Sequence, residues 1–355
     1  MRKQTAKKLA VLALAGFAGL AAGARAQTTI NGTVFADFSH RDNKDEATGT
    51  KSNDSGVGTD VKRFYFTATN TFDDVWSAQF QSDIGDKGAK RYDVFVKKAY
   101  IQAKASPELT FRLGSANTPW VPFVEEIYGY RYVEQELLDR LGFGTSADWG
   151  VHFLGAAGDG VVNYAAGVLN GRGYSDPTRS KNVDFEGRIG FQPVKGLNFA
   201  VGGYTGKRGL ATNSVPALHT ATRFDGLAAY SNDYFRIGGE YFKAKNWNSV
   251  TAVPTDKADG FSGWASIPLG PTFSAFGRVD SAKPSKDLKP KLKDTYYDAG
   301  LQAKVNRSFS ASLVYKYEKV KGGTLSSGPA GTVGSINPAS QGKFQEIGIF
   351  TVYSF

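Results

Sequence analysis

The feature that most constrains this sequence is a period of two. Phe309, Ala311, Leu313, Tyr315 and Tyr317 alternate with Ser310, Ser312, Lys316 and Glu318. Val183, Phe185, Gly187, Ile189 and Phe191 alternate with Asp184, Glu186, Arg188 and Gln192, and Phe235, Ile237 and Tyr241 with Arg236 and Glu240. Tyr297, Ala299, Leu301 and Ala303 oppose Asp298, Gly300, Gln302 and Lys304 in the same way. Side chains of a strand point alternately to its two faces, so each segment has one apolar and one charged face. Beyond the first two dozen residues no segment sustains a helical period, although a short helical turn fits Glu134 to Leu141. No apolar run there approaches the ~18 residues a membrane-spanning helix requires. A helical membrane protein is thereby excluded; a barrel, whose strands alternate, is not.

The breaks between strands set their number. Tight turns fall at Phe72-Asp73-Asp74, Ser106-Pro107-Glu108, Gly158-Asp159-Gly160, Val194-Lys195-Gly196, Ser231-Asn232-Asp233, Leu269-Gly270-Pro271 and Asn306-Arg307-Ser308. Between them lie longer polar connections near 39–59, 85–91, 115–144, 171–181, 206–221, 245–257, 281–293 and 321–342. Seven short and eight long connections in alternation make sixteen antiparallel strands in one sheet, with no linker and no second domain. A soluble sandwich of that size would need several domains, and a propeller would show a blade repeat that is absent.

The N-terminus reads as a secretory leader over residues 1–26. Arg2, Lys3, Lys7 and Lys8 precede an apolar stretch from Leu9 to Ala22, and Ala24-Arg25-Ala26 fits a cleavage site before Gln27. Residues 27–355 then form the barrel. Removal of the leader takes five basic residues and no acidic one, which lowers the formal charge from +10 to +5. A nucleic-acid partner is therefore not expected. The lack of cysteine excludes a disulfide scaffold, a thiolate metal site and a cysteine nucleophile. His40, His152 and His219 are far apart, and no phosphate loop, serine elbow or calcium-loop register is present, so neither catalysis, metal nor cofactor is expected.

The final segment, Gly348-Ile349-Phe350-Thr351-Val352-Tyr353-Ser354-Phe355, is an amphipathic strand with Ile347, Ile349, Tyr353 and Phe355 on one face. An exported, alternating chain that ends on Tyr353-Ser354-Phe355 resembles the Gram-negative outer-membrane porins. Asn117-Thr118-Pro119-Trp120, the run Arg140-Leu141-Gly142-Phe143-Gly144-Thr145-Ser146-Ala147-Asp148-Trp149-Gly150, Arg63 and the stretch from Phe72 to Phe80 are similar to the branch around the phosphate-selective porins O and P. The resemblance implies a transmembrane antiparallel β-barrel of 16 strands in the outer membrane, with the third loop folded into the lumen. It also implies a homotrimer among outer-membrane lipid and lipopolysaccharide.

On that reading the third long loop, rich in aromatics, carries one wall of a pore constriction: Glu125, Glu126, Arg131 and Arg140. Alternation places the opposing basic wall at Lys98, Arg112, Arg188 and Arg278, with Arg63, Arg236, Lys304 and Lys316 elsewhere in the lumen. Opposed clusters of charge across a narrow aqueous gap select permeants by sign and size. The expected function is passive diffusion of small hydrophilic solutes and ions with an anion preference. The alternatives are a channel selective for phosphate or a sugar acid, a barrel enzyme, and a plugged structural or adhesive barrel. A second basic cluster, Lys283, Lys286, Lys289, Lys291 and Lys293, falls on a long loop and reads as a solvated face, a collector of anions or a contact for lipid phosphates.

Overall fold

The computed structural model describes residues 27–46, 48–53, 55–86, 92–325 and 342–355. The expected leader at 1–26 and the loop positions 87–91 and 326–341 lie outside the described residues. Sixteen strands run in chain order among the described residues: β1 Gln27–Asp45, β2 Gly56–Thr71, β3 Trp76–Asp86, β4 Tyr92–Ser106, β5 Leu109–Asn117, β6 Ala147–Ala157, β7 Val162–Leu169 and β8 Asp184–Val194; then β9 Leu197–Gly206, β10 Ala221–Ser231, β11 Arg236–Lys245, β12 Lys257–Pro268, β13 Phe273–Lys283, β14 Lys293–Lys304, β15 Phe309–Lys321 and β16 Gly342–Ser354. Each pairs antiparallel with its sequence neighbours, and β1 pairs with β16, so the sheet closes into a barrel without an edge. Two short helices, α1 Val121–Tyr128 and α2 Leu137–Arg140, interrupt the connection between β5 and β6.

Closure rests on a register running from Thr33 opposite Ser354 to Asp45 opposite Gly342. At its end Gly32 and Phe355 exchange backbone hydrogen bonds of 3.0 and 3.1 Å. A Cβ on Gly32 would lie 2.3 Å from the Phe355 ring, so only glycine lets that ring cross the seam. The short turns are stabilised by local side chains. Asp73 accepts from the backbone N–H groups of Val75 and Trp76 at 2.8 and 2.7 Å. Asn232 serves Tyr234 and Phe235, and Asn306 serves Ser308 and Phe309, in the same way.

The two faces of the sheet divide as the period of two requires. Val94, Leu113, Ile189, Val201, Val279, Leu301, Leu313 and Ile349 are exposed on the outer face. Aromatic residues flank this aliphatic band: Phe191, Phe199, Phe235, Phe273, Tyr353 and Phe355 toward the short turns, and Phe185, Phe224, Tyr241, Phe261 and Tyr297 toward the long loops. The opposite face holds buried charge, including Asp184, Glu186, Arg223, Glu240, Arg278, Asp280, Lys316, Glu318 and Glu346. An apolar band between aromatic girdles on a closed sheet matches the section of a bilayer.

Of the four register shifts among the described strands, two bring a second basic residue to the inner face. The register of β1 with β2 skips Lys62, and that of β3 with β4 skips Lys97. An extra residue on one strand lets two consecutive side chains share a face. Lys62 Nζ thus reaches Asp37 at 2.9 Å beside the inward Arg63, and Lys97 Nζ reaches the Tyr65 hydroxyl at 3.1 Å beside the inward Lys98. Without the bulges one member of each basic doublet would face the apolar outer band.

Candidate functional site

The segment between β5 and β6 is the distinctive element. Thr118 and Ser146 close its base, with a 3.3 Å hydrogen bond from the Thr118 N–H to the Ser146 carbonyl and a second from the Thr118 hydroxyl to Thr145. α1 ends on Gly129 at φ 80°, where a Cβ would collide with the Arg236 guanidinium at 1.9 Å. α2 is capped by Glu136, whose carboxylate accepts from the backbone N–H groups of Leu138 and Asp139 at 2.7 and 2.8 Å. The sequence predicts only the second of these helices, because α1 is flanked by prolines and aromatics that mask its period.

This segment is buried against the inward faces of β8 to β15. Trp120, Leu137 and Leu138 are fully buried, each contributing about 1.5–3 kcal/mol through the apolar surface removed from water. Tyr130 stacks on Phe276 at 4.0 Å, Tyr128 meets Trp264 edge-on at 5.6 Å, and Phe143 lies 4.8 Å from Phe242. An irregular segment carries backbone carbonyls that must find donors, and here the strand cations supply them. Arg188 donates to the Pro119 carbonyl at 2.9 Å, Arg236 to Tyr128 at 3.0 Å, Lys316 to Val133 at 2.6 Å, Arg278 to Gln135 at 2.5 Å and Arg223 to Phe143 at 2.5 Å. Strand carboxylates serve its N–H groups: Glu186 accepts from Trp120 N at 3.3 Å and Glu240 from Leu137 N at 3.2 Å.

Arg140 shows the same role most strongly. Its guanidinium is fully buried and meets Asp280 at 3.0 Å, Asp294 at 2.6 Å and Glu318 at 2.7 Å, one carboxylate from each of β13, β14 and β15. Arg278 pairs with Asp280 at 2.7 Å, and Lys316 lies 3.3 Å from both Glu134 and Glu346. Arg140 and Arg278, expected on the constriction, are therefore fixed between the loop and the wall and closed to water, because buried charge requires paired, hydrogen-bonded partners.

The opposite arc, β2 to β5, is different. Lys98 has no carboxylate within 4.0 Å among the described residues. Arg112 donates to the Gln102 side chain at 2.8 Å and lies over the Tyr100 ring at 4.8 Å, again without a carboxylate. Arg63 pairs with Asp83 at 3.3 Å. From the loop, Glu125 and Arg131 form an ion pair, and Glu126 is exposed. Burial pushes the Glu125 carboxyl above the usual carboxylate range, against the pull of Arg131, Lys97 and Arg63. Arg188 stands at the junction of the two arcs, bonded to the Asn163 side chain at 2.5 Å and lying over Phe123 at 3.7 Å. Lys304 is exposed near the short-turn rim, away from the others.

Several residues that shape the site escape a simple alternating reading. Lys62 and Lys97 do so because of their bulges; the basic doublets Lys62-Arg63 and Lys97-Lys98 are the trace they leave in the sequence. Arg223 pairs with Asp225 at 2.8 Å and with Glu186 at 3.1 Å. Arg223-x-Asp225 and Arg278-x-Asp280 share one pattern, an arginine and an aspartate two apart on one strand face. Tyr132, whose hydroxyl lies 2.5 Å from that of Ser312 and accepts from Gln302 at 2.8 Å, gave no signal beyond the aromatic richness of the loop. Among the described residues no group of three or more metal-ligating side chains forms, and His152 and His219 contact the Gly114 and Val253 carbonyls.

No protein-family model and no curated protein matches the chain. Solved structures do. An anion-selective porin from Comamonas acidovorans superposes with a TM-score of 0.67 at 14% identity, over 93% of this chain and all of that one. The outer membrane channel DcaP of Acinetobacter baumannii gives 0.65 at 11% identity, over 94% and 99%. The trimer form of OmpT, an outer membrane protein of Vibrio cholerae, gives 0.63 at 16% identity, over 93% and 99%. The chain shares their fold.

Proposed function

We propose that the chain is an outer-membrane channel through which small hydrophilic solutes and ions diffuse passively, with a preference for anions. The observation that carries this reading is the unequal state of the lumen cations. Those of β8 to β15 are neutralised by carboxylates or committed to loop carbonyls, whereas Lys98 and Arg112 have no carboxylate within 4.0 Å among the described residues. On this reading the loop between β5 and β6 crosses the lumen and leaves a gap bounded by Lys98, Arg112, Arg63 and Arg188 on one side and Glu125, Glu126 and Arg131 on the other. Charge facing such a gap acts through low-dielectric walls and sorts permeants by sign.

The fold shared with channels and porins supports this reading, as does the apolar outer band, and the trimer form of one neighbour supports a homotrimer. Placement with the phosphate-selective porins O and P rests on sequence resemblance alone. The test is the reversal potential of the purified protein in a planar bilayer under a salt gradient. Anion preference is expected, and a clear cation preference would sink it. Two lumen cations without a carboxylate partner, Lys98 and Arg112, also suit a dianion, which favours the second reading of a phosphate or sugar-acid channel. Saturable block of the ion current by that solute separates it from a general pore. A barrel enzyme would need a histidine beside a serine or acid, and hydrolytic activity surviving removal of all three histidines disposes of that mechanism.

A further inference from the structure

At the short-turn end of the barrel, beside the β5–β6 loop, lies a cavity of about 330 Å³. Gly129 and Tyr130 of the loop form one wall, and inward positions of β10 to β14 form the other: Ser231, Arg236, Ser266, Ser274 and Gln302. The register makes these five a continuous polar band. Ser231 and Ser266 stand directly opposite Arg236 on its two neighbouring strands, and Ser274 stands opposite Gln302. Farther toward the long loops the same strand faces carry the buried carboxylates Asp225, Glu240, Asp280 and Asp298. No carboxylate lines the cavity among the described residues, and Asp233 in the adjoining turn is exposed.

Arg236 is the one cation that lines the cavity among the described residues, and it has no carboxylate within 4.0 Å among them. One of its N–H groups donates to the Tyr128 carbonyl at 3.0 Å, and Gly129 lets the guanidinium approach the loop backbone. A guanidinium has five N–H donors. The contact with the loop therefore fixes Arg236 and leaves the rest of its fork to the cavity. The hydroxyls of Ser231 and Ser274 have no protein partner among the described residues. Gln302 donates one amide N–H to the Tyr132 hydroxyl at 2.8 Å and keeps its carbonyl oxygen as an acceptor. The cavity thus offers one planar cation surrounded by groups that both donate and accept.

We propose that this cavity binds a small monocarboxylic acid bearing several hydroxyls, the sugar-acid class, with its carboxylate on Arg236. The inference rests on the channel reading and names a solute for it. A guanidinium fork matches a carboxylate through two parallel hydrogen bonds. The hydroxyls of such a solute donate and accept, as do those of Ser231, Ser266 and Ser274. A phosphate dianion brings a second charge that a single guanidinium leaves unanswered, and a plain carboxylate such as acetate leaves the serines unused. At ~30 Å³ per water the volume equals about ten waters, room for a six-carbon acid with part of its hydration. Selection by sign belongs to the gap at Lys98 and Arg112; the cavity discriminates among the anions already admitted.

The test uses the intact purified protein, with gluconate as the probe and acetate, inorganic phosphate and glucose beside it. Binding is read by calorimetry in neutral detergent, and saturable block of a chloride current is read in a planar bilayer. Calorimetry reports on the cavity whether or not the barrel conducts, so failure of the channel reading and failure of this proposal stay distinct. Wild type should bind gluconate more tightly than the other three solutes. Arg236→Gln should weaken gluconate by roughly tenfold or more, and Arg236→Lys by less, since it keeps the charge without the fork. Ser266→Ala/Ser274→Ala should weaken it by roughly fivefold; this variant leaves the contact of Arg236 with the loop in place, so it tests the cavity even where Arg236→Gln fails to fold. Equal gluconate affinity in wild type and Ser266→Ala/Ser274→Ala would overturn the proposal, as would acetate or phosphate binding as tightly as gluconate. A loss in Lys304→Gln, a cation of the same rim outside the cavity, equal to that in Arg236→Gln would assign the effect to net charge and overturn it as well.

Discussion

The two arcs of the barrel wall use the same residue types for opposite ends. On β8 to β15, arginine and lysine are structural: they hold the carbonyls of the β5–β6 loop and sit within hydrogen-bond distance of carboxylates. On β2 to β5, Lys98 and Arg112 have no carboxylate within 4.0 Å among the described residues. On the proposed reading, a count of basic residues on the lumen face therefore misjudges the charge that a permeant would meet. What matters is the charge left after the loop has taken its share.

The comparison breaks most visibly at Arg140. Replacing it with methionine leaves Asp294 and Glu318 buried without a cation and Asp280 with Arg278 alone, which should cost about 3–5 kcal/mol. The lowered thermal midpoint should come with a larger and noisier single-channel conductance, because the loop loses its anchor. A well-folded Arg140→Met protein of wild-type conductance would show that the loop is held by its apolar contacts alone. Next in size, Trp120→Ala removes a fully buried indole that also donates to Glu240 at 3.4 Å, with an expected loss of about 3–5 kcal/mol. Chemical denaturation in detergent measures it.

On the open arc the order of effects reverses. Lys98→Ala and Arg112→Ala should each change stability by less than about 1 kcal/mol while moving the reversal potential toward cations. A smaller effect is expected from pH. The carboxyl of Glu125 lies above the usual range, so as pH falls from neutral it takes a proton before ordinary carboxylates do. That leaves Arg131 uncompensated and makes the gap more positive, so anion preference should rise on acidification, and Glu125→Gln should abolish the pH dependence. Reversal potentials at neutral and mildly acidic pH check both points; an unchanged slope in Glu125→Gln assigns the titration to another group.

Much of the fold is legible in the sequence because a strand's period is local and a closed barrel repeats it. Turn residues such as Asp73, Asn232 and Asn306 mark the short connections, and the pairing of β1 with β16 follows from the even count. The site is less legible, since its chemistry depends on partners far apart in the chain. Nothing near Arg140 announces Asp280, Asp294 and Glu318, so it reads as a free cation when it is the most fully neutralised one. Lys62 and Lys97 fail for a different reason: a single bulge shifts a side chain to the other face, and only the adjacency of two basic residues hints at it.

The most direct measurement is the reversal potential of the double variant Lys98→Ala/Arg112→Ala beside wild type, in the same salt gradient and at neutral pH. If the unpaired arc sets selectivity, wild type prefers anions and the double variant loses that preference at an unaltered thermal midpoint. An anion preference that survives both substitutions would contradict it, and would place the selecting charge on the loop-bound arc or at the mouth of the barrel.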